Sequence, residues 1–223
     1  MDNVLLKIRE IALKYSNINK VVLFGSRARK DNTPSSDYDI AVFASGSDVS
    51  LKNKFTNEIE DIETLNKIDL VWIKQRHKDT ELYLNIIKDG IIIMDKFGTK
   101  MNNFKNALNR LHEALDESAV SESFTVRDGV IQRFEFTTEL AWKTLREHLI
   151  SLGFEEINNP KGVLAEAFNN KLITDDLGWL QIVRDRNSTA HIYDEEDASE
   201  IYERIANSHI KLFDSLKEKL DNI

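Results

Sequence analysis

Asp37 and Asp39, two carboxylates separated by one residue, head the apolar run Ile40 to Phe43, and an earlier apolar run, Val21 to Phe24, ends on Gly25 and Ser26. In a strand successive side chains point to opposite faces, so Asp37 and Asp39 project together while Tyr38 points away. Paired carboxylates make a hard, anionic oxygen site suited to Mg²⁺, which is usually held by one or two carboxylates plus substrate phosphates. Gly25 lets a backbone approach a ligand closely, and N–H groups opening a helix at Ser26 would face a phosphate with the helix dipole behind them. Arg27 and Arg29 flank that cradle and suit phosphate contact. A third carboxylate, Asp69, lies inside Ile68 to Ile73. A charge in an apolar strand is costly unless it is paired or binds a metal, and Asp69 is accordingly the expected third ligand of a two-metal site. Such a site activates the attacking and leaving oxygens of an in-line displacement at phosphorus. The blander alternative is an ordinary turn at Gly25-Ser26, a loop-end cap at Asp37 and a strand-end charge at Asp69. No Gly-Lys-Ser/Thr follows Gly25 and the next glycine is Gly46, so neither a P-loop nor a dinucleotide fingerprint is present.

The elements that must position these groups follow from periodicity. Val4, Ile8, Ile11 and Tyr15 recur at helical spacing and predict an amphipathic first helix leading into the Val21 strand. After the Ile40 strand, Leu51, Phe55, Ile59 and Ile62 predict a helix within Val49 to Leu65. The Asp69 strand, a short helix over Thr80 to Lys88 and a buried strand over Ile91 to Met94 complete an α/β half with a small mixed sheet, residues 1–95. Asp95 to Lys100 reads as a linker. Beyond it the period is helical. Phe104, Leu108, Leu111 and Leu115 form one stripe, and Val130, Phe134, Ala141 and Leu145 a second, ending near Leu152-Gly153. Pro160 opens a third helix carrying Val163, Leu164 and Phe168. Thr174 or Asp175 caps a fourth, with Leu177, Leu180 and Val183 inward. A fifth runs from about Asp194, with an acidic first turn, to Leu220. Residues 96–223 are expected to form an all-α helical bundle.

Composition narrows the function classes. The chain lacks cysteine, which excludes disulfides and thiolate metal sites and suits a reducing cytoplasm. Neither a signal-like start nor a membrane-length apolar stretch is present, so a cytoplasmic protein without membrane contact is expected. The net charge of −8 is uneven: 14 basic and 15 acidic residues stand in 1–95, against 16 and 23 in 96–223. An excess of seven acidic residues in the second half argues against broad nucleic-acid binding but leaves room for a local RNA site.

Gly25-Ser26, the Asp37-x-Asp39 pair and the lone Asp69 on a later strand together resemble the minimal nucleotidyltransferases of the polymerase-beta-like superfamily, over roughly Met1 to Asp95. The segments Phe134 to Lys143 and Arg186 to Glu195 are similar to the nucleotidyltransferase substrate-binding family, helical bundles of the wider HEPN group that often accompany minimal nucleotidyltransferases as separate chains. Here the two partners are fused. The first resemblance implies a Mg²⁺-dependent nucleotidyltransferase, with Asp37 and Asp39 bridging two ions and Asp69 assisting the acceptor hydroxyl. It implies a nucleoside triphosphate such as ATP as donor, and an acceptor held partly by the helical half.

The second resemblance singles out Arg186 and His191, which match the Arg-x-x-x-x-His pattern of metal-independent RNA cleavage, with Asn187 beside them. Tyr193 stands where some HEPN toxins carry a tyrosine that the companion enzyme modifies with AMP. The alternative function is therefore a toxin-antitoxin module in one chain, with RNA as a partner of the helical half. Five residues along an unbroken helix rotate about 140°, so Arg186 and His191 converge only if the helix ends between them or if a homodimer builds a composite site. A purely structural Arg-Asn-His cluster is the competing reading. His77, His112, His148 and His209 show no ligand spacing, and Trp142 and Trp179 suit a bundle core.

Overall fold

The computed structural model describes residues 1–46, 49–73, 80–121, 123–152, 154, 157–189 and 195–223. It divides into two compact units, Met1–Lys96 with Ile150–Gly153, and Phe97–Leu149 with Phe154–Ile223.

The first unit is built on a four-stranded mixed sheet in the order β3-β2-β1-β4. Strand β1 (Ile18–Phe24) pairs antiparallel with β2 (Tyr38–Ala44) and with β4 (Ile91–Asp95), and β2 pairs parallel with β3 (Ile68–Ile73). Helix α1 (Asn3–Lys14) starts where the Asp2 carboxylate accepts the N–H of Leu5 at 2.9 Å, and it buries Leu5, Ile8 and Ala12. Helix α3 (Val49–Glu60) adds Phe55 and Ile59 to the same core. Helix α2 (Gly25–Arg29) is a single short turn following β1, and α4 (Glu81–Asp89) is capped by Thr80. The expected buried strand is only half buried. Ile93 and Met94 lie in the core, but Ile91 and Ile92 are exposed because β4 is a sheet edge.

No linker separates the halves. Helix α5 (Lys96–Ser118) begins directly after β4, correcting the expected break over Asp95 to Lys100. Phe97 and Met101 continue the Phe104-Leu108-Leu111 stripe backwards at helical spacing, so the bundle's apolar period starts as soon as the sheet ends.

The second unit is all helical among its described residues. Helix α6 (Phe124–Ser151) is followed by α7 (Pro160–Asn169), whose Asn159 cap accepts the N–H of Gly162 at 2.8 Å, and by α8 (Asp176–Ser188), capped by Asp175. Helix α9 (Glu195–Arg204) passes through a π-helical turn (Ile205–His209) into α10 (Ile210–Asp221). One core runs through these helices, with Phe104, Phe134 and Phe213 fully buried. Leu177, expected to face inward, is 73% exposed, and Phe168 of α7 is 41% exposed. Helix α8 instead buries Trp179, Ile182 and Asp185, so an aspartate holds a position that an apolar residue would normally take.

Candidate active site

The sheet topology explains how distant residues meet. The end of β1 lies against the start of β2, with Phe24 opposite Asp39, and parallel pairing sets Asp39 directly opposite Asp69 on β3. Gly25 therefore emerges beside Asp39. Its φ of +70° is the left-handed conformation that glycine adopts without penalty, and a Cβ added there would sit 2.1 Å from Asp39 Oδ2. Gly25→Ala should accordingly lose about 1–2 kcal/mol from backbone strain alone and push the Asp39 carboxylate aside. A lower melting temperature together with lost nucleotide transfer checks it; an alanine variant with parental activity would remove Gly25 from the site.

Asp39 is half-buried and its pKa is raised. Burial is the main cause, followed by the negative charges of Asp69 and Asp37, while Arg29 and Lys67 pull the other way. Asp37 is exposed and Asp69 partly so. Like charges gathered on one face of a sheet fit a divalent cation, and without one they repel. Lys67 takes up part of that charge, its ammonium 2.5 Å from Asp69 Oδ1. Asp69, Asp37 and Asp39 all raise the Lys67 pKa. Among the described residues no three acidic or histidine side chains are drawn closely enough to ligate an ion as they stand. The oxygen donor set and the charge concentrated at Asp39 nevertheless suit Mg²⁺.

The two arginines take different positions. The Arg27 guanidinium donates to the carbonyl oxygens of Ser36 (2.7 and 3.0 Å) and Asp37 (3.1 Å) and stacks over the Tyr38 ring at 3.9 Å. Arg27 thereby fastens the loop that carries Asp37. Tyr38, buried, donates to Asp2 at 2.9 Å, which keeps its side of the strand turned away from the carboxylates. Arg29 pairs with Asp31 at 3.2 Å. Ser26 stands in the first turn of α2. Two contributors escaped the sequence reading. Asn66 donates to Pro34 O (2.8 Å) and Ser36 O (3.1 Å), pinning the same loop, and Lys67 holds Asp69. Lys67 stands two residues before Asp69, the spacing of same-face strand neighbours, and that was its one available signal.

In the helical unit α8 ends at Ser188, with Thr189 still in the right-handed helical region. His191 and Tyr193 lie outside the described residues. Arg186 approaches Glu139 of α6 at 3.6 Å and donates to Asn187 Oδ1 at 3.2 Å. Glu139 also accepts from Trp142 Nε1 at 3.0 Å and Lys143 at 2.8 Å. Burial pushes the Glu139 pKa up, but these two donors with the charges of Lys143 and Arg186 hold it below the usual value. Thr189 bonds Glu135, one turn before Glu139. The strongest polar cluster, Asp185 with Arg204 and His209, was not foreseen.

Comparison with known proteins gives these sites a family. Residues 99–222 match the family described as nucleotidyltransferase substrate binding protein like, and residues 6–97 match the polymerase beta nucleotidyltransferase family. The chain belongs to the nucleotidyltransferase substrate binding protein like family, and its first half is a polymerase-beta-type nucleotidyltransferase domain. Its relatives include the probable ribonuclease HepT of Haemophilus influenzae, 35% identical over 85 residues, a match covering 36% of this chain and 58% of that protein. The chain thus spans less than two thirds of that curated relative. A solved Haemophilus influenzae structure, described as a substrate binding domain of a nucleotidyltransferase, is 28% identical with a TM-score of 0.50, covering 54% of this chain and 98% of that one. A protein of Thermus thermophilus is 33% identical with a TM-score of 0.47, covering 52% of this chain and 98% of its own. No helix among the described residues is long and apolar enough to cross a membrane.

Proposed function

We propose that the chain transfers a nucleoside monophosphate from a nucleoside triphosphate, ATP foremost, to an acceptor held partly by the helical half, in a Mg²⁺-dependent reaction in the cytoplasm. The observation that carries this reading is the strand register that sets Asp39 opposite Asp69 beside Gly25. Asp37, Asp39 and Asp69 would hold the metal, which supplies the positive charge that activates attacking and leaving oxygens. Asp69, once Lys67 releases it, accepts the proton of the acceptor hydroxyl. The backbone at Gly25 and Ser26 faces the triphosphate, and Arg29 is the arginine free to turn from a surface partner toward phosphate. Arg27 acts one step back by keeping Asp37 in place.

Intact mass after incubation with Mg²⁺ and each triphosphate in turn tests the reading on the chain itself, and candidate acceptors extend the test. Transfer should require Mg²⁺ and fall at least a hundredfold in Asp37→Asn, in line with several kcal/mol for metal-ion stabilisation. Transfer by Asp37→Asn at the parental rate would sink the metal assignment.

A second reading, a fused toxin-antitoxin module, draws on the likeness of the chain to the probable ribonuclease HepT. In it Arg186, Asn187 and His191 cleave RNA, Tyr193 receives AMP from the first half, and two helical halves pair in a homodimer. The same incubation decides between the readings: near-complete adenylylation of Tyr193, lost in Tyr193→Phe, would put the module first. Slow or absent addition at Tyr193 is expected, because the acidic residues from Asp194 to Asp197 would meet three more carboxylates and a triphosphate.

A further inference from the structure

Three carboxylates and one ammonium form a four-cornered patch on the sheet of the first unit. Parallel pairing sets Tyr38 opposite Ile68 and Asp39 opposite Asp69, so one step earlier Lys67 stands level with Asp37. Alternation then turns Asp37, Asp39, Lys67 and Asp69 to the same face. The backbone fixes the cationic corner. The Tyr38 N–H donates to the Lys67 carbonyl at 2.8 Å, and the Asn66 amide next to it donates to the Pro34 and Ser36 carbonyls.

The Lys67 ammonium lies 2.5 Å from Asp69 Oδ1, and Asp37 and Asp39 attract it as well. The two arginines at this end of the sheet are engaged elsewhere, Arg27 on the Ser36 and Asp37 carbonyls and Arg29 on Asp31. Lys67 is thus the cation bonded directly to the carboxylate set. A dication held by the same carboxylates must displace that ammonium or bind against its repulsion. Exposure decides how strongly the two compete. The Lys67 and Asp69 side chains are 68% and 41% exposed, and an ion pair in contact with water is worth little, so it weakens metal binding without blocking it. The flexible four-carbon stem lets the displaced ammonium swing aside while staying tethered to the site.

We propose that Lys67 is a built-in competitor of the metal. Its ammonium neutralises Asp69, weakens the binding of a free divalent cation, and yields Asp69 when the cation arrives with a triphosphate, whose oxygens receive the released ammonium. Lys67 is on this account a positioning residue that makes occupation of the metal site depend on the triphosphate. The inference rests on the transferase reading, which supplies the metal and the triphosphate.

The test uses the full chain and Mn²⁺, which shares the oxygen-ligand preference of Mg²⁺ and is counted by electron paramagnetic resonance. Titrations are run with and without an ATP analogue carrying a methylene between its α- and β-phosphorus atoms, so that no transfer occurs. Lys67→Met should bind Mn²⁺ alone about three- to tenfold more tightly than the parent, the scale of an exposed ion pair plus the repulsion between an ammonium and a dication. Lys67→Arg, which keeps the charge, should bind as the parent does, and so should Lys211→Met, which removes an exposed charge from α10. With the analogue present the Lys67→Met gain should shrink to about twofold or less, because the phosphates offer the parental ammonium a partner. Melting separates this role from packing: Lys67→Met should melt lower than the parent in EDTA, and Mg²⁺ should raise its melting temperature by more. A Lys67→Met protein that binds Mn²⁺ alone no more tightly than the parent overturns the proposal, as does a gain equal with and without the analogue, or one reproduced by Lys211→Met. An equal loss of melting temperature in EDTA and in Mg²⁺ overturns it too, by making Lys67 a structural residue. Failure of the parent and of every variant to bind Mn²⁺ under either condition removes the metal site itself, and the competitor role falls with it.

Discussion

Asp39→Asn is expected to abolish nucleotide transfer while making the metal-free protein more stable at neutral pH. The two effects have one origin. Asp39 is half-buried opposite Asp69 and close to Asp37, with its ionised form disfavoured by burial and by both neighbours. Removing its charge relieves that repulsion in the absence of a cation and, on the proposed reading, removes one of the carboxylates that would hold the metal. The transfer rate should fall about a thousandfold or more, since several kcal/mol of metal-dependent stabilisation at about 1.4 kcal/mol per decade amounts to three decades. The melting temperature in EDTA should rise, and the rise produced by Mg²⁺ in the parent should shrink in the variant. A variant that loses activity and also melts lower without metal would mean that Asp39 serves packing and not charge. Asp39→Ala is the poorer probe, because it opens space beside Gly25 as well as removing the carboxylate.

Replacing Asp185 with alanine should cost about 3–5 kcal/mol of the helical unit's stability, the usual result of removing one partner from a buried ionic network. Asp185 is 3% exposed and sits where α8 would otherwise present an apolar residue. Its carboxylate accepts two bonds from Arg204, at 2.9 and 3.1 Å, one from Gln181 at 2.9 Å, and pairs with His209 at 2.7 Å. His209 is itself 2% exposed, stacks on Phe134 at 5.4 Å, and belongs to the π-helical turn between α9 and α10. Without Asp185 the guanidinium would keep only the exposed Glu200 carboxylate, at 3.2 Å, and the buried imidazole would lose its hydrogen-bond partner. Chemical denaturation of the parent and of Asp185→Ala gives the difference directly. Asp185→Asn, which keeps shape and some hydrogen bonds, should lie between them. Equal stability of all three would show that the network is dispensable.

The same network sets a pH dependence whose sign follows from the Asp185 pKa. Burial pushes that pKa up, but bonds from His209, Arg204 and Gln181 outweigh it and bring the folded value below the ordinary one. A carboxylate with a depressed folded pKa contributes stability that is present above its unfolded pKa, about 3.9, and lost as pH falls through the folded value. Acid unfolding of the helical unit should therefore steepen below about pH 4, and Asp185→Asn should remove that steepening.

Much of the candidate site was legible because it rests on local rules. Alternation along a strand puts Asp37 and Asp39 on one side of Tyr38, and Gly25 after an apolar run signals a close backbone approach. Asn159 before Pro160, Asp175 before α8, and the acidic turn at Glu195 are caps and charges that act within one helical turn, so the helix starts could be read from neighbours in the chain. The apolar stripe of α5 was also legible from Phe104 onward, whereas the helix start at Lys96 was not, because the end of the strand pattern at Asp95 reads equally as the start of a linker.

What only the tertiary structure decided concerns partners far apart in sequence. The register of β2 against β3, which sets Asp39 opposite Asp69, depends on long-range strand pairing that no local period encodes. The capture of the Ser36 and Asp37 carbonyls by Arg27 and of the Ser36 carbonyl by Asn66 depends on where a polar loop folds back, which no local pattern signals. The burial of Asp185 was invisible because an aspartate on a helix is ordinarily solvated, and its core position is tolerable only once Arg204 and His209 arrive from a different segment. Periodicity specifies which face of an element is apolar; which charged groups are neutralised inside the fold is specified by the partners that chain topology brings to them.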